Sequence, residues 1–148
     1  MLIETSDIER ISATQAIFSD DGERIAALFY DRLFELAPDV RPMFPDDLSE
    51  QGRKLSATLA IAVSSLSSWD ELAPILAALA RRHIVYGVKA WHYAVVTQAL
   101  LDTLTREGVD TATVAAWNRA LSVINAHMIS AAYGDRAGEP TEAQAALT

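Results

Sequence analysis

Apolar residues recur along this chain at the spacing of an α-helix. No stretch alternates apolar and polar residues like a half-buried strand. Residues 6–9 read as a capping box, with Ser6 as N-cap and Glu9 reaching back. Ile8, Ile11 and Phe18 then share one face, interrupted by Gln15. Asp20, Asp21 and Gly22 punctuate. A second helix carries Ile25, Leu28, Phe29 and Leu33, with Tyr30 and Phe34 on the adjacent strip, and Pro38 stops it. A proline-rich corner, 40–48, leads to a helix starting near Ser49 with a stripe of Leu55, Leu59, Ala62 and Leu66. Pro74 suits the first turn of the next helix, which carries Leu76, Leu79 and His83 on one face and ends at Gly87. A helix from about Ala90 runs through Tyr93, Val96, Leu100 and Leu104 to Gly108. Asp110 or Thr111 caps a last helix bearing Val114, Trp117, Leu121, Ile124 and Met128, which Gly134 ends. The pattern predicts an all-α domain.

Composition narrows this picture. The chain has 148 residues, enough for one domain that buries roughly 70% of its unfolded surface. There are 12 Lys and Arg against 20 Asp and Glu, a net charge of −8, which argues against a nucleic-acid partner. The absence of cysteine excludes a disulfide scaffold, an iron–sulfur cluster, a thiolate zinc site and a cysteine nucleophile. It fits a cytoplasmic protein. No segment reads as a signal peptide or a membrane span. Residues 1–134 are expected to form the domain, and 135–148 a flexible tail.

Few residues present themselves for chemistry. There is no HExxH, no histidine pair at i, i+4 and no Gly-x-Ser-x-Gly elbow. Asp20–Asp21 and Asp46–Asp47 read as solvated caps, and His92 and His127 as solvated edge residues. His83 continues an apolar face one turn after Leu79. From spacing alone it is more often a hydrogen-bonded core residue than a ligand. Tyr30, Gln51 and Tyr93 are polar groups within apolar faces, each with a bland account as a hydrogen-bonded buried residue.

Read in order, several segments resemble one family: FYDRLF at 29–34, APDVRPMF at 37–44, SEQGRKL at 49–55, LARRHIVYGV at 79–88, His92–Tyr93, Leu100–Leu101 and Ala116–Trp117. They resemble the globins, specifically bacterial single-domain haemoglobins and the globin domain of flavohaemoglobins. The resemblance implies a globin fold with helices packed around haem b. It makes His83 the proximal iron ligand, reversing the reading from spacing. Phe44 would pack on the haem face, and Leu55, Leu59, Leu79, Val88 and Val96 would line an apolar pocket. Arg81, Arg82 and Lys89 are candidate partners of the haem carboxylates, Arg82 first because it directly precedes His83, with plain surface charge as the alternative. Tyr30 and Gln51 match the distal pair, whose phenol would hydrogen-bond a diatomic ligand.

Tyr93 matches a tyrosine that backs the proximal histidine in flavohaemoglobins. The glutamate that accompanies it there falls on Ala132 here, and no acid occurs at 121–134. That departure weakens the expected electron donation to the imidazole. The resemblance implies reversible binding of O2, NO and CO, with nitric oxide dioxygenation wherever an external reductase supplies electrons. A monomer or weak homodimer is expected. A gas or redox sensor and a haem-free interaction module remain alternatives.

Overall fold

A computed structural model describes residues 3–85 and 87–133, with the side chain of Val85 left out. The apolar periodicity becomes seven α-helices and one 3-10 helix among these residues, and no strand. In chain order they are α1 (Thr5–Ser12), α2 (Gln15–Asp20), α3 (Gly22–Leu36), the 3-10 helix Pro38–Met43, α4 (Ser49–Ser65), α5 (Trp69–Val85), α6 (His92–Arg106) and α7 (Thr111–Tyr133). The expected stop at Gly134 and the expected tail lie outside the described residues. No described helix is long and apolar enough to cross a membrane.

The first expected helix is two helices. Thr14 donates its hydroxyl to the Ile11 carbonyl (2.6 Å) and accepts the Trp117 indole N–H (3.1 Å). This break separates α1 from α2, so Gln15 begins a new helix and no longer interrupts an old one. Ser6 is not the cap. The backbone of Glu4 closes the first turn by accepting from Ile8 N–H (3.0 Å), and no side chain caps it. Asp7 anchors that turn by a bidentate pair with Arg119 of α7, both bonds 2.8 Å.

Two other elements are shifted from the sequence pattern. Pro74 is the sixth residue of α5, which begins at Trp69. A proline there lies past the first turn and removes the backbone bond that an N–H at this position would give the carbonyl of Asp70. On α4 the buried positions are Gly52, Ser56, Ala62 and Val63, while Leu55 and Leu59 are half-buried. The face is turned because α4 crosses α3 closely: a Cβ at Gly52 would stand 3.1 Å from that of Ala26. Ser56 also donates to the Gly22 carbonyl (2.7 Å). By contrast, Asp110 caps α7 as expected, accepting the backbone N–H of Thr113 (3.1 Å) and its hydroxyl (2.8 Å).

Helix α3 packs on α4 and α6, while α1, α5 and α6 pack on α7. The core at these crossings includes Ile11, Ile25, Leu66, Leu72 and Leu104, all essentially inaccessible. Phe18 meets Trp117 edge-on at 5.5 Å, joining the α2 end of the core to α7.

Candidate functional site

His83 sits in the last turn of α5, half-buried. Its Nδ1–H donates to the Leu79 carbonyl one turn back (2.8 Å). That bond fixes the tautomer and leaves the lone pair on Nε2, the arrangement of a metal-ligating imidazole. Burial holds the ring's pKa below its ordinary 6.5, opposed by the hydrogen bond to Leu79 and assisted by the charge of Arg82. The imidazole is therefore neutral at pH 7, the form that binds a metal.

The residues after His83 lock the helix end. Gly87 has φ +85°, a left-handed conformation that favours glycine. Gly87 N–H reaches the Ile84 carbonyl (3.0 Å) and Val88 N–H the His83 carbonyl (3.0 Å). These are the two bonds of a Schellman motif, and one of them ends on His83 itself. Tyr133 of α7 ties the same corner by donating to the Val88 carbonyl (2.9 Å). Sequence reasoning missed Tyr133, because its partner lies 45 positions away and no local pattern marks the pair.

Tyr93, at the start of α6, lies nearly parallel to the His83 ring, with centroids 6.2 Å apart and planes at 21°. It is 7% exposed, and its hydroxyl is buried with no hydrogen-bond partner among the described residues. Its pKa is pushed up to about 12, first by burial and then by the neighbouring Tyr133. Ala132 is half-buried against the core.

A second cluster forms where α3, the 3-10 helix and α4 meet. Tyr30 is 4% exposed. Its ring contacts Phe29 and Phe44 edge-on, at 5.1 and 5.5 Å, and stacks on Phe34 at 6.1 Å. Phe44 also meets Phe34 at 5.5 Å, and Arg41 covers the Phe34 ring at 5.0 Å. Burial pushes the Tyr30 hydroxyl up to about 12, against a hydrogen bond with the Gln51 side chain that lowers it. Tyr30 thus stays protonated and can donate. The close crossing at Gly52 and Ala26 explains the partnership, since Gln51 precedes Gly52 and Tyr30 lies one turn beyond Ala26.

The remaining expected pocket residues separate by exposure. Leu55, Leu59, Leu79 and Val88 are half-buried and pack against the core. Val96 departs from a closed apolar wall: it is 39% exposed, while Leu100, one turn later, is buried. Arg82 is exposed and forms no ion pair among the described residues. The other two histidines are bonded, not merely solvated. His92 Nδ1 accepts Lys89 N–H (2.8 Å), and His127 Nε2–H donates to the Ala73 carbonyl (2.9 Å).

A model of the globin family matches residues 27–128. The chain is 26% identical over 129 residues to the flavohemoprotein of Bacillus subtilis strain 168, covering 83% of this chain and 32% of that protein. It spans about a third of the length of that relative. A bacterial globin from Campylobacter jejuni superposes with a TM-score of 0.78 at 25% identity, over 88% of this chain and 96% of that one. An engineered carbene transferase made from a candidate nitric oxide dioxygenase of Rhodothermus marinus gives 0.79 at 20% identity, over 88% and 94%. The helical architecture is the globin fold, and the chain belongs to the globin family. It is a bacterial globin of the flavohaemoglobin globin-domain type.

Globin membership implies a haem cofactor, and the donor set fits one. The chain offers a neutral imidazole with its proton held on Nδ1 by the Leu79 carbonyl, half-buried apolar side chains on α4, α5 and the corner after α5, and a protonated phenol in a separate aromatic cluster.

Proposed function

We propose that this chain holds haem b and binds O2, NO and CO reversibly, and that with an external electron-donating reductase it converts NO to nitrate. The observation that carries the proposal is His83, its Nδ1–H committed to the Leu79 carbonyl and its charge suppressed by burial. Haem, when bound, supplies an iron that takes a diatomic ligand and changes oxidation state.

The chain's own residues do the rest. His83 presents Nε2 to the iron, and the Leu79 carbonyl orients the ring. Tyr93 stacks behind it and limits its rotation. Phe44, Leu55, Leu59, Leu79, Val88 and Val96 supply the apolar surround, and Arg82 supplies a cation for a haem carboxylate. Tyr30 donates a hydrogen bond to the gas ligand, and Gln51 holds or relays that hydroxyl. A donor in a low-dielectric site is worth more than in water because nothing competes for it.

A hydrogen bond to a charged acceptor is worth about 1.5–3 kcal/mol. In the haem-loaded protein, Tyr30→Phe should therefore raise the O2 dissociation rate by roughly tenfold or more, since each 1.4 kcal/mol is tenfold. Stopped-flow displacement of O2 by CO measures it, and an unchanged rate overturns the role of Tyr30. The NO reaction is read by a different quantity. With a reductase and its reduced nicotinamide supplied, the NO consumed should appear as nitrate. Rapid NO loss without nitrate removes dioxygenation from the account.

A further inference from the structure

Charge on this acidic chain is unevenly placed. All twenty acids lie outside residues 72–101, a run that contains Arg81, Arg82 and Lys89. Elsewhere most cations are answered. Arg24 pairs with Asp21 and Glu107, Arg32 with Glu35 and Asp102, Arg53 with Glu23, Arg106 with Glu35, and Arg119 with Asp7. Arg41 is committed to the carbonyls of Phe44, Pro45 and Asp46. Arg81, Arg82 and Lys89 form no ion pair among the described residues.

These cations share one place in the fold. Arg81 and Arg82 are exposed on the last turns of α5. The Schellman bonds fold the following corner, which carries Lys89, back onto that helix end. Two large apolar side chains stand in the same segment, Ile84 at 43% and Trp91 at 44% exposed. Within 81–91, exposed arginines and exposed apolar side chains thus occur together, with Lys89 half-buried between them in sequence; Arg and Trp are the residue types that carry much of the binding energy at interfaces.

We propose that this surface docks an acidic one-electron carrier protein, of the flavin or iron–sulfur class, that reduces the ferric haem. The inference rests on the haem reading above and names the kind of reductase that reading requires. At a net charge of −8, most of this molecule repels an acidic partner, and the end of α5 attracts it. The same helix end carries His83, so a protein docked there is brought to the ligand side of the haem. One electron leaves the carrier's cofactor and reduces ferric iron to ferrous, and no atom is transferred. Arg82, which directly precedes His83, is the one assigned to the haem carboxylate, and Arg81 is assigned to the partner.

The test mixes the full-length ferric, haem-loaded protein with a reduced acidic flavodoxin in a stopped-flow cell. The second-order rate is followed between about 0.01 M and about 1 M salt, where the screening length falls from about 30 to about 3 Å. If the basic surface governs docking, the rate falls as salt rises. Arg81→Glu should then lower the low-salt rate about tenfold and converge with the wild type at high salt. Reduction by dithionite and the Soret spectrum should be the same in both proteins. Lys89→Glu repeats the test outside the helix. A rate that rises with salt, as net repulsion requires, overturns the proposal, as do wild-type rates in both variants. Failure of the wild-type protein to form a Soret band overturns the haem reading itself.

Discussion

Asp7 illustrates how much of this molecule is decided by single side chains with distant partners. In the sequence it is one acid in a helix's first turn. In the structure it is 5% exposed and bound at both oxygens by Arg119, 112 positions away. The Arg119 guanidinium holds its carboxyl below the ordinary 3.8. A depressed pKa means that the folded state favours the charged form. The stabilisation is therefore present above the unfolded value of 3.8 and is lost as pH falls through the folded value beneath it. Asp7→Asn should lower the urea midpoint at pH 7, and the difference from wild type should shrink below about pH 3.8. Equal midpoints at neutral pH contradict this account. Tyr93 is the opposite case, a buried hydroxyl with no hydrogen-bond partner among the described residues; a buried hydroxyl left without one costs about 1–3 kcal/mol. Neither feature has a local signature. The sequence does single out Tyr93 as a polar residue in an apolar face, but not its lack of a partner.

At the scale of elements, what was legible is what local chemistry dictates. Pro38 ends α3, Asp110 caps α7, and Gly87 and Gly108 close α5 and α6 with φ of +85° and +86°. What was hidden depends on tertiary contact. The α1–α2 break needs the Trp117 indole, and the turned face of α4 needs its close crossing with α3. Pro74 misled because a proline tolerated near a helix start looks like one placed at its first turn. The two helix-ending glycines offer a paired test. An alanine at either meets no side chain, so its cost is backbone strain alone, about 1–2 kcal/mol. Gly87→Ala and Gly108→Ala should therefore lower the thermal midpoint by similar amounts. Only Gly87→Ala should also weaken haem retention, because the turn at Gly87 sets the Val88 N–H bond to the His83 carbonyl. Equal haem retention in the two variants, measured by transfer to an acceptor globin, would contradict the claim that this turn positions the ligand.

The whole molecule joins these scales. The helical pattern was sufficient for an all-α chain, and the order of the segments around Tyr30, Gln51 and His83 for a globin. Neither showed that Tyr133 ties the corner behind His83, a contact between α7 and the corner that follows α5. Fold and site are nevertheless bound together, since the Schellman turn, the Tyr93 ring and the Leu79 carbonyl all converge on one residue, His83. A titration of haem into the purified protein, followed by its Soret absorbance, tests that convergence most directly. The account predicts saturation at about one haem per chain, and loss of that stoichiometric binding or of the imidazole-ligated ferrous spectrum in His83→Ala. No Soret band in the wild type, or the same binding and spectrum in His83→Ala, would contradict it.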